Sequence, residues 1–322
     1  MRFSVLGPLL AEADDGTLLM VARPSQRSTL AVLLLWARQS PTRAQLIDAL
    51  WGDSPPGDAE TALRVRMRDL RRALAAHHRL ITHQCGYRML VEPGELDAAS
   101  FRDLAAHGRA ALDGGNAEDA ARLLAQACNL WRDPPLVDLP DTPAMRLTAS
   151  ALLEQRRDVQ EWLLDARLAL GQHHDALDQI RSVIAADALA EHPHVQLMLA
   201  LYRCGQKSAA LAAYTRLRDL TTREFGQEPG PEAQALLRQM LADSPDLMHR
   251  PGALAGSADA RPALDARLPA ARTAGRIHRA RCRYRSAGPA NAGDQPGGDG
   301  YHRSAGGWPG SPGFADGASG TR

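Results

Sequence analysis

The spacing of apolar residues changes several times between residue 1 and about residue 95. Arg2-Phe3-Ser4-Val5-Leu6 alternates at period two and stops at Gly7-Pro8, a strand followed by a turn. Leu9 to Ala13 and Thr17 to Val21 read as two more short strands around the Asp14-Asp15-Gly16 turn. From about Ser25 to Arg38 the period becomes helical, with Leu30, Leu33, Leu34 and Ala37 on one face. Ser40-Pro41 suits the cap and first position of a second helix that buries Leu46, Ile47 and Leu50 and ends at Gly52. Two prolines in the loop from Gly52 to Gly57 block its continuation, and a third helix follows from about Ala59 to Ala76. Leu80-Ile81-Thr82 and Tyr87-Arg88-Met89-Leu90-Val91 then flank a turn ending in Gly86, which predicts a hairpin. An opening sheet, three helices and a hairpin follow one another in the order of a winged helix-turn-helix.

From about 96 to 244 the pattern is almost continuously helical. Gly171-Gln172-x-x-x-Ala176-Leu177 recurs as Gly205-Gln206-x-x-x-Ala210-Leu211, with Ile180 and Tyr214 in the same register. That offset is the period of a tetratricopeptide repeat, in which small residues let paired helices approach closely. A related unit lies around Ala117 to Trp131, and Glu154 to Leu170 reads as another long helix. After Pro245 the pattern dissolves: 22 of the last 78 residues are Gly or Pro and none is valine. Such a segment has too little apolar surface to offset its ordering entropy, so residues 245–322 are expected to be a disordered tail. The fold class is therefore mainly α, in three parts: a winged helix-turn-helix with small β elements (1–95), a tetratricopeptide-like α-helical repeat (96–244) and the tail.

Composition narrows the function. With a formal charge of only +1, no global basic field surrounds the chain, and any nucleic-acid contact must come from a local cluster. All but one of the 38 basic residues are arginine; the exception, Lys207, follows Gln206 rather than the Gly that a phosphate-binding P-loop requires. Cys85, Cys128, Cys204 and Cys282 form no C-x-x-C pair, which disfavours a zinc cluster or a disulfide framework. Neither a secretory leader nor a membrane-length apolar run is visible, so a cytoplasmic protein without a membrane partner is expected.

The local cluster lies on the third helix. Leu63, Met67, Leu70 and Leu74 define its buried stripe, and five of the nine positions from 64 to 72 are arginine. At about 100° per residue, Val65, Arg68 and Arg72 point away from that stripe, with Thr61 and Asp69 beside them. Arg64, Arg66 and Arg71 fall on the flanks. Central guanidinium groups suit the O6 and N7 acceptors of guanine, flanking ones suit phosphates, and an exposed valine suits a thymine methyl. The turn His83-Gln84-Cys85-Gly86 would be the wing, with Arg88 either approaching a minor groove or backbone or lying idle on the surface. The candidate DNA-binding residues are thus Thr61, Arg64, Val65, Arg66, Arg68, Arg71, Arg72 and Arg88.

With these residues in place, the chain resembles the Streptomyces antibiotic regulatory protein family, whose winged helix is of the response-regulator type. The likeness rests on Leu6-Gly7-Pro8-Leu9, Leu33-Leu34-Leu35, Leu46-Ile47-Asp48-Ala49-Leu50-Trp51-Gly52, Leu70-Arg71-Arg72-Ala73-Leu74 and Gly86-Tyr87-Arg88. It continues in Glu95-Leu96-Asp97, Leu130-Trp131-Arg132 and Glu228-Pro229-Gly230-Pro231, and so spans about residues 1 to 244. The resemblance implies a transcriptional activator of a biosynthetic gene cluster that binds double-stranded DNA as a homodimer. It also implies that a bacterial transcriptional activator domain contacts RNA polymerase. Asp69 departs from the family pattern, where a basic or polar residue is usual beside Arg68, and this bears on base preference. Larger relatives continue into a nucleotide-binding domain, whereas here the residues after about 260 read either as a native linker or as an out-of-frame stretch.

Other chemistry finds little support. His173-His174 and His192-Pro193-His194 lack the i, i+4 spacing of a metal site and are read as surface or inter-helix loop histidines. No nucleophile elbow is visible, and Trp51, Trp131 and Trp162 sit at core-periodic positions. Neither an enzyme nor a bound cofactor is expected. The rival is a helical-repeat scaffold that binds a protein partner and uses its winged helix for protein contact.

Overall fold

Two short strands, β1 (Arg2–Ser4) and β2 (Leu10–Glu12), pair antiparallel with Phe3 opposite Ala11. They open a computed structural model that describes residues 1–74, 79–140 and 142–248. The third expected strand does not form: Thr17–Val21 contributes only a bridge from Leu18 to Glu12. Leu19 and Val21 pack inward while Leu18 and Met20 face solvent, so the alternation is present, but pairing with β2 stops after that one bridge.

Helix α1 (Pro24–Leu35) starts with Pro24 in its first turn and gives way to a turn at Trp36, earlier than the apolar pattern suggested. Every residue from Ser28 to Leu35 is buried, not one face alone. Elements close around α1 on several sides, and the hydroxyls of Ser28 and Thr29 are satisfied by Pro24 and Ser25 carbonyls one turn back. Helix α2 (Arg43–Trp51) is capped by Thr42, not by Ser40. Thr42 Oγ1 accepts the Gln45 N–H while Gln45 Oε1 accepts the Thr42 N–H, a reciprocal capping box. Ile47, expected in the core, is only partly buried; Ala49 takes an interior position beside Leu46 and Leu50. Helix α3 (Ala59–Leu74) follows, and its expected last turn, 75–76, lies outside the described residues. The hairpin is β3 (Leu80–His83) with β4 (Gly86–Met89), in the register Leu80–Met89 and Thr82–Tyr87.

Seven helices follow: α4 (Asp97–Asp113), α5 (Ala117–Asn129), α6 (Pro143–Ala169), α7 (His173–Ala186), α8 (Glu191–Arg203), α9 (Lys207–Phe225) and α10 (Pro231–Leu241). The repeat corner occurs three times. Gly115, Gly171 and Gly205 adopt φ of 77°, 80° and 75°, the left-handed conformation that glycine takes without penalty. The next N–H, of Asn116, Gln172 or Gln206, then reaches back to the carbonyl of Ala111, Arg167 or Leu201 at 2.9–3.0 Å. Five residues after each glycine stands a fully buried alanine (Ala120, Ala176, Ala210), which lets the helix before the corner pack closely.

Several motifs that are remote in sequence meet in one place. The Asp97 carboxylate accepts the N–H groups of Val5 (2.8 Å), Leu6 (3.0 Å) and Ala98 (2.7 Å). Burial pushes its carboxyl above the usual range, against the opposing pull of those backbone hydrogen bonds. From the other side, Arg132 N–H donates to the Leu6 carbonyl at 2.9 Å and Leu136 N–H to the Gly7 carbonyl at 3.0 Å. The 5–9 loop is therefore clasped between the start of α4 and the loop after α5, and a single buried cluster runs from Phe3 through Leu96 and Phe101 to Ala166. A second cluster begins at Leu164, so the two cores meet along α6 and not at residue 95.

Two further expectations are corrected. His192 and His194 lie within α8, and His173 and His194 are buried, so these are not loop histidines. Residues 245–248 are not tail: Pro245–Leu247 forms a 3₁₀ turn, Leu247 is buried in the second cluster, and Arg203 Nε donates to its carbonyl at 2.9 Å. The expected disorder from 249 onward, with Cys282, lies outside the described residues. Among the described residues no helix is long and apolar enough to cross a membrane.

Candidate nucleic-acid interface

Helix α3 begins where Asp58 accepts the Thr61 N–H at 2.9 Å, and hydrogen bonding from the Thr61 side chain and then its N–H holds the Asp58 carboxyl below its usual range. Leu63, Met67, Leu70 and Leu74 are wholly excluded from solvent and fix the helix by its inner stripe. The opposite strip, Thr61, Val65, Arg68 and Arg72, is exposed along its length, with spacing i, i+4, i+7, i+11 on one face. Val65 is 39% exposed, an apolar side chain left in solvent between arginines. Arg64 is exposed too and donates to Thr61 Oγ1 at 2.9 Å.

Two of the three flanking arginines, Arg66 and Arg71, are already engaged by other elements of the protein. Arg66 lies 4.0 Å above the centre of the Trp51 ring, and burial presses its pKa below the ordinary arginine value. Trp51 is thus a seat for a guanidinium group and only partly a core residue. Arg71 donates through Nε and Nη2 to the Leu80 carbonyl (3.2 and 2.9 Å) and through Nη2 to Thr82 Oγ1 (2.7 Å). It ties α3 to β3, the first strand of the hairpin. The two-residue wing turn, Gln84-Cys85, is held against α2: Arg43 N–H donates to the Cys85 carbonyl at 2.8 Å, and Gly86 bridges Thr42. Arg88 is half-buried on β4, opposite Ile81.

Two family descriptions match this chain: "Transcriptional regulatory protein, C terminal" over residues 20–89 and "Bacterial transcriptional activator domain" over residues 96–241. The regulatory protein DnrI of Streptomyces peucetius is 32% identical over 257 residues, which cover 77% of this chain and 94% of DnrI. The chain belongs to the Streptomyces antibiotic regulatory protein family. The regulatory protein AfsR of Streptomyces coelicolor is 38% identical across 81% of this chain, and the match spans about a quarter (26%) of AfsR's own length. Among solved structures, Mycobacterium tuberculosis EmbR in complex with a low affinity phosphopeptide superposes with a TM-score of 0.72 at 29% identity. That match covers 76% of this chain and 65% of EmbR's. As a family member the chain carries the domains of a transcriptional regulator, and α3 and the β3–β4 hairpin fall within the span of the first match.

Of the eight residues singled out from the sequence, Thr61, Arg64, Val65, Arg68 and Arg72 share the outer surface of α3. Arg66, Arg71 and Arg88 are half-buried, the first on Trp51 and the second on the wing. Two residues outside that set also shape this surface. Arg43 stands in the first turn of α2 beside the wing turn. Asp58 sets the first turn of α3, and the Asp three residues before Thr61 was the available signal. Asp69, which helical phase placed beside the outer strip, divides its carboxylate between Arg68 on that strip and Arg23 at the start of α1. No local pattern shows which side of a helix a second helix will approach.

Proposed function

We propose that the chain is a sequence-specific DNA-binding regulator that lays α3 in the major groove with the β3–β4 wing against the adjacent backbone. The observation that carries this is the division of α3: an inner stripe with no solvent exposure, and an outer strip of Thr61, Val65, Arg68 and Arg72 with arginines on its flanks. A helix so held presents three guanidinium groups and one wholly apolar side chain, Val65, to the groove at fixed spacing. Arg66 and Arg71 serve by holding Trp51 and the wing in place, with their outer edges turned to the phosphates. In this proposal the repeat helices bring two copies together on a promoter and contact RNA polymerase. The setting is a cytoplasmic activator of biosynthetic genes, with no enzymatic step and no cofactor. Its parts are a winged helix over 1–95, a repeat domain over 96–244 extended by the docked turn to 248, and the remaining segment to 322.

The test is fluorescence anisotropy of the full chain with duplexes from upstream of neighbouring genes, at several salt concentrations. Binding to one duplex tighter than to scrambled DNA by at least about 1000-fold is expected. Arg68→Ala should cost about 1–3 kcal/mol on that duplex. Equal, weak affinity for all duplexes, unchanged in Arg68→Ala, would instead favour a scaffold that binds a protein partner.

A further inference from the structure

Asp69 is the single acidic side chain among the arginines of α3's 64–72 segment, and both of its oxygens are used. Oδ1 accepts from Arg68 Nε at 3.2 Å, and Oδ2 lies 3.8 Å from Nη1 of Arg23, the residue that precedes α1. The exposures are graded: the Arg68 side chain is 59% exposed, whereas Asp69 is only 21% exposed. The carboxylate is set back from the outer surface, and the guanidinium it holds reaches forward. Arg68 Nη1 and Nη2 engage no other group among the described residues.

From this geometry we infer that Asp69 is a positioning residue that fixes Arg68 to read a guanine at one base position. The inference rests on the groove-binding function proposed above. A guanidinium group has two usable edges, one through Nε and one through the paired Nη atoms. Asp69 occupies the first and leaves the second as an end-on fork, whose two parallel donors match O6 and N7 of guanine. Adenine offers one acceptor and one donor on that edge, so a fixed fork discriminates against it, whereas a freely rotating arginine would settle on phosphates or either purine. The carboxylate is an acceptor only and is repelled by phosphates, so it cannot itself be a backbone contact. Arg23 offsets its charge from the other side and keeps it from swinging outward. Both arginines that Asp69 pairs with are well exposed, so solvent screens the pairs and their loss costs folding little, which separates recognition from stability.

The experiment is selection of the full chain on a randomised duplex library, followed by titration of the enriched duplex and each of its single-base variants. The proteins compared are the parent, Arg68→Ala, Asp69→Asn and Arg23→Ala. The parent should prefer guanine at one position by about 5- to 150-fold, and Arg68→Ala should level that position. Asp69→Asn should bring the same position to within about threefold of the other bases, while affinity for unrelated duplex stays equal or rises. A merely structural role would weaken all duplexes together and move no single position. If Asp69→Asn keeps the parent's preference where Arg68→Ala loses it, the inference falls and the groove-binding function stands. If Arg68→Ala discriminates like the parent at every position, or the selection enriches nothing, the groove-binding function falls and takes the inference with it. Should Asp69→Asn not fold, Arg23→Ala carries the same comparison, because it leaves Asp69 in place and frees the oxygen that anchors it.

Discussion

Replacing Gly86 by alanine tests how the wing is attached. The φ angle of Gly86 is not in the left-handed region, so any cost must come from space alone. A Cβ built there would lie 1.9 Å from the Pro41 carbonyl oxygen, 3.0 Å from the Pro41 carbonyl carbon and 3.1 Å from that of Thr42. These are backbone atoms at the entry to α2, and none can rotate aside. Relief requires the wing turn to move by roughly 1 Å or more, an overpacking cost of about 1–3 kcal/mol. The same shift breaks the Thr42–Gly86 bridge and the 2.8 Å bond from Arg43 N–H to the Cys85 carbonyl, about another 0.5–1.5 kcal/mol. The expected loss is about 1.5–4.5 kcal/mol, or about 3–18 °C in melting temperature for a cooperative unit of about 150–250 residues. Circular dichroism melts of Gly86→Ala should be read beside Gly57→Ala, whose Cβ would meet nothing within 4 Å. Gly57→Ala should be neutral or slightly stabilising. If Gly86→Ala melts within about 2 °C of the parent, the wing is not packed on α2 as described.

Three other outcomes are expected. Arg71→Ala removes three hydrogen bonds that hold β3 to α3 and should destabilise by about 1–3 kcal/mol in a urea titration; an unchanged midpoint with a shallower salt dependence of DNA binding would make Arg71 a phosphate contact alone. Ending the chain after 244 instead of 248 exposes the Leu247 pocket and frees Arg203 from its carbonyl partner, so it should lower stability by about 1.5–3 kcal/mol by calorimetry. His192 is pushed down by burial but raised overall by Asp165 and Glu232, to about 10. Its contribution is full below the unfolded imidazole's value near 6.5 and is lost as pH rises toward 10. Melting temperature should therefore fall across that window in the parent and stay flatter in His192→Gln; equal slopes would contradict the assignment.

Periodicity is a local property, and what depended on it was legible in the chain. The stripe Leu63/Met67/Leu70/Leu74 and the outward strip of α3 follow from one helical period, and the Gly171 and Gly205 corners follow from one repeated backbone requirement. What depended on a second element was not legible. Ser40-Pro41 and Thr42 are both acceptable caps by chemistry, and Gln45's reach back to Thr42 decided between them once Pro41 was held against Gly86. Arg66 and Arg71 look like any flanking arginines until Trp51 and Leu80 arrive from elsewhere in the chain. Leu247 sits in a sequence too poor in apolar residues to form a core alone, yet the second cluster takes it in as one more buried leucine. Leu6-Gly7-Pro8-Leu9, Asp97 and Arg132 could each be recognised separately. That they close on one another is a matter of three-dimensional hydrogen bonding, because backbone N–H groups stripped of water in the 5–9 loop must find acceptors and Asp97 supplies them. Sequence thus determined which residues face inward and which outward along each helix. Tertiary packing decided which outward arginines remain exposed and which are held by other elements of the protein.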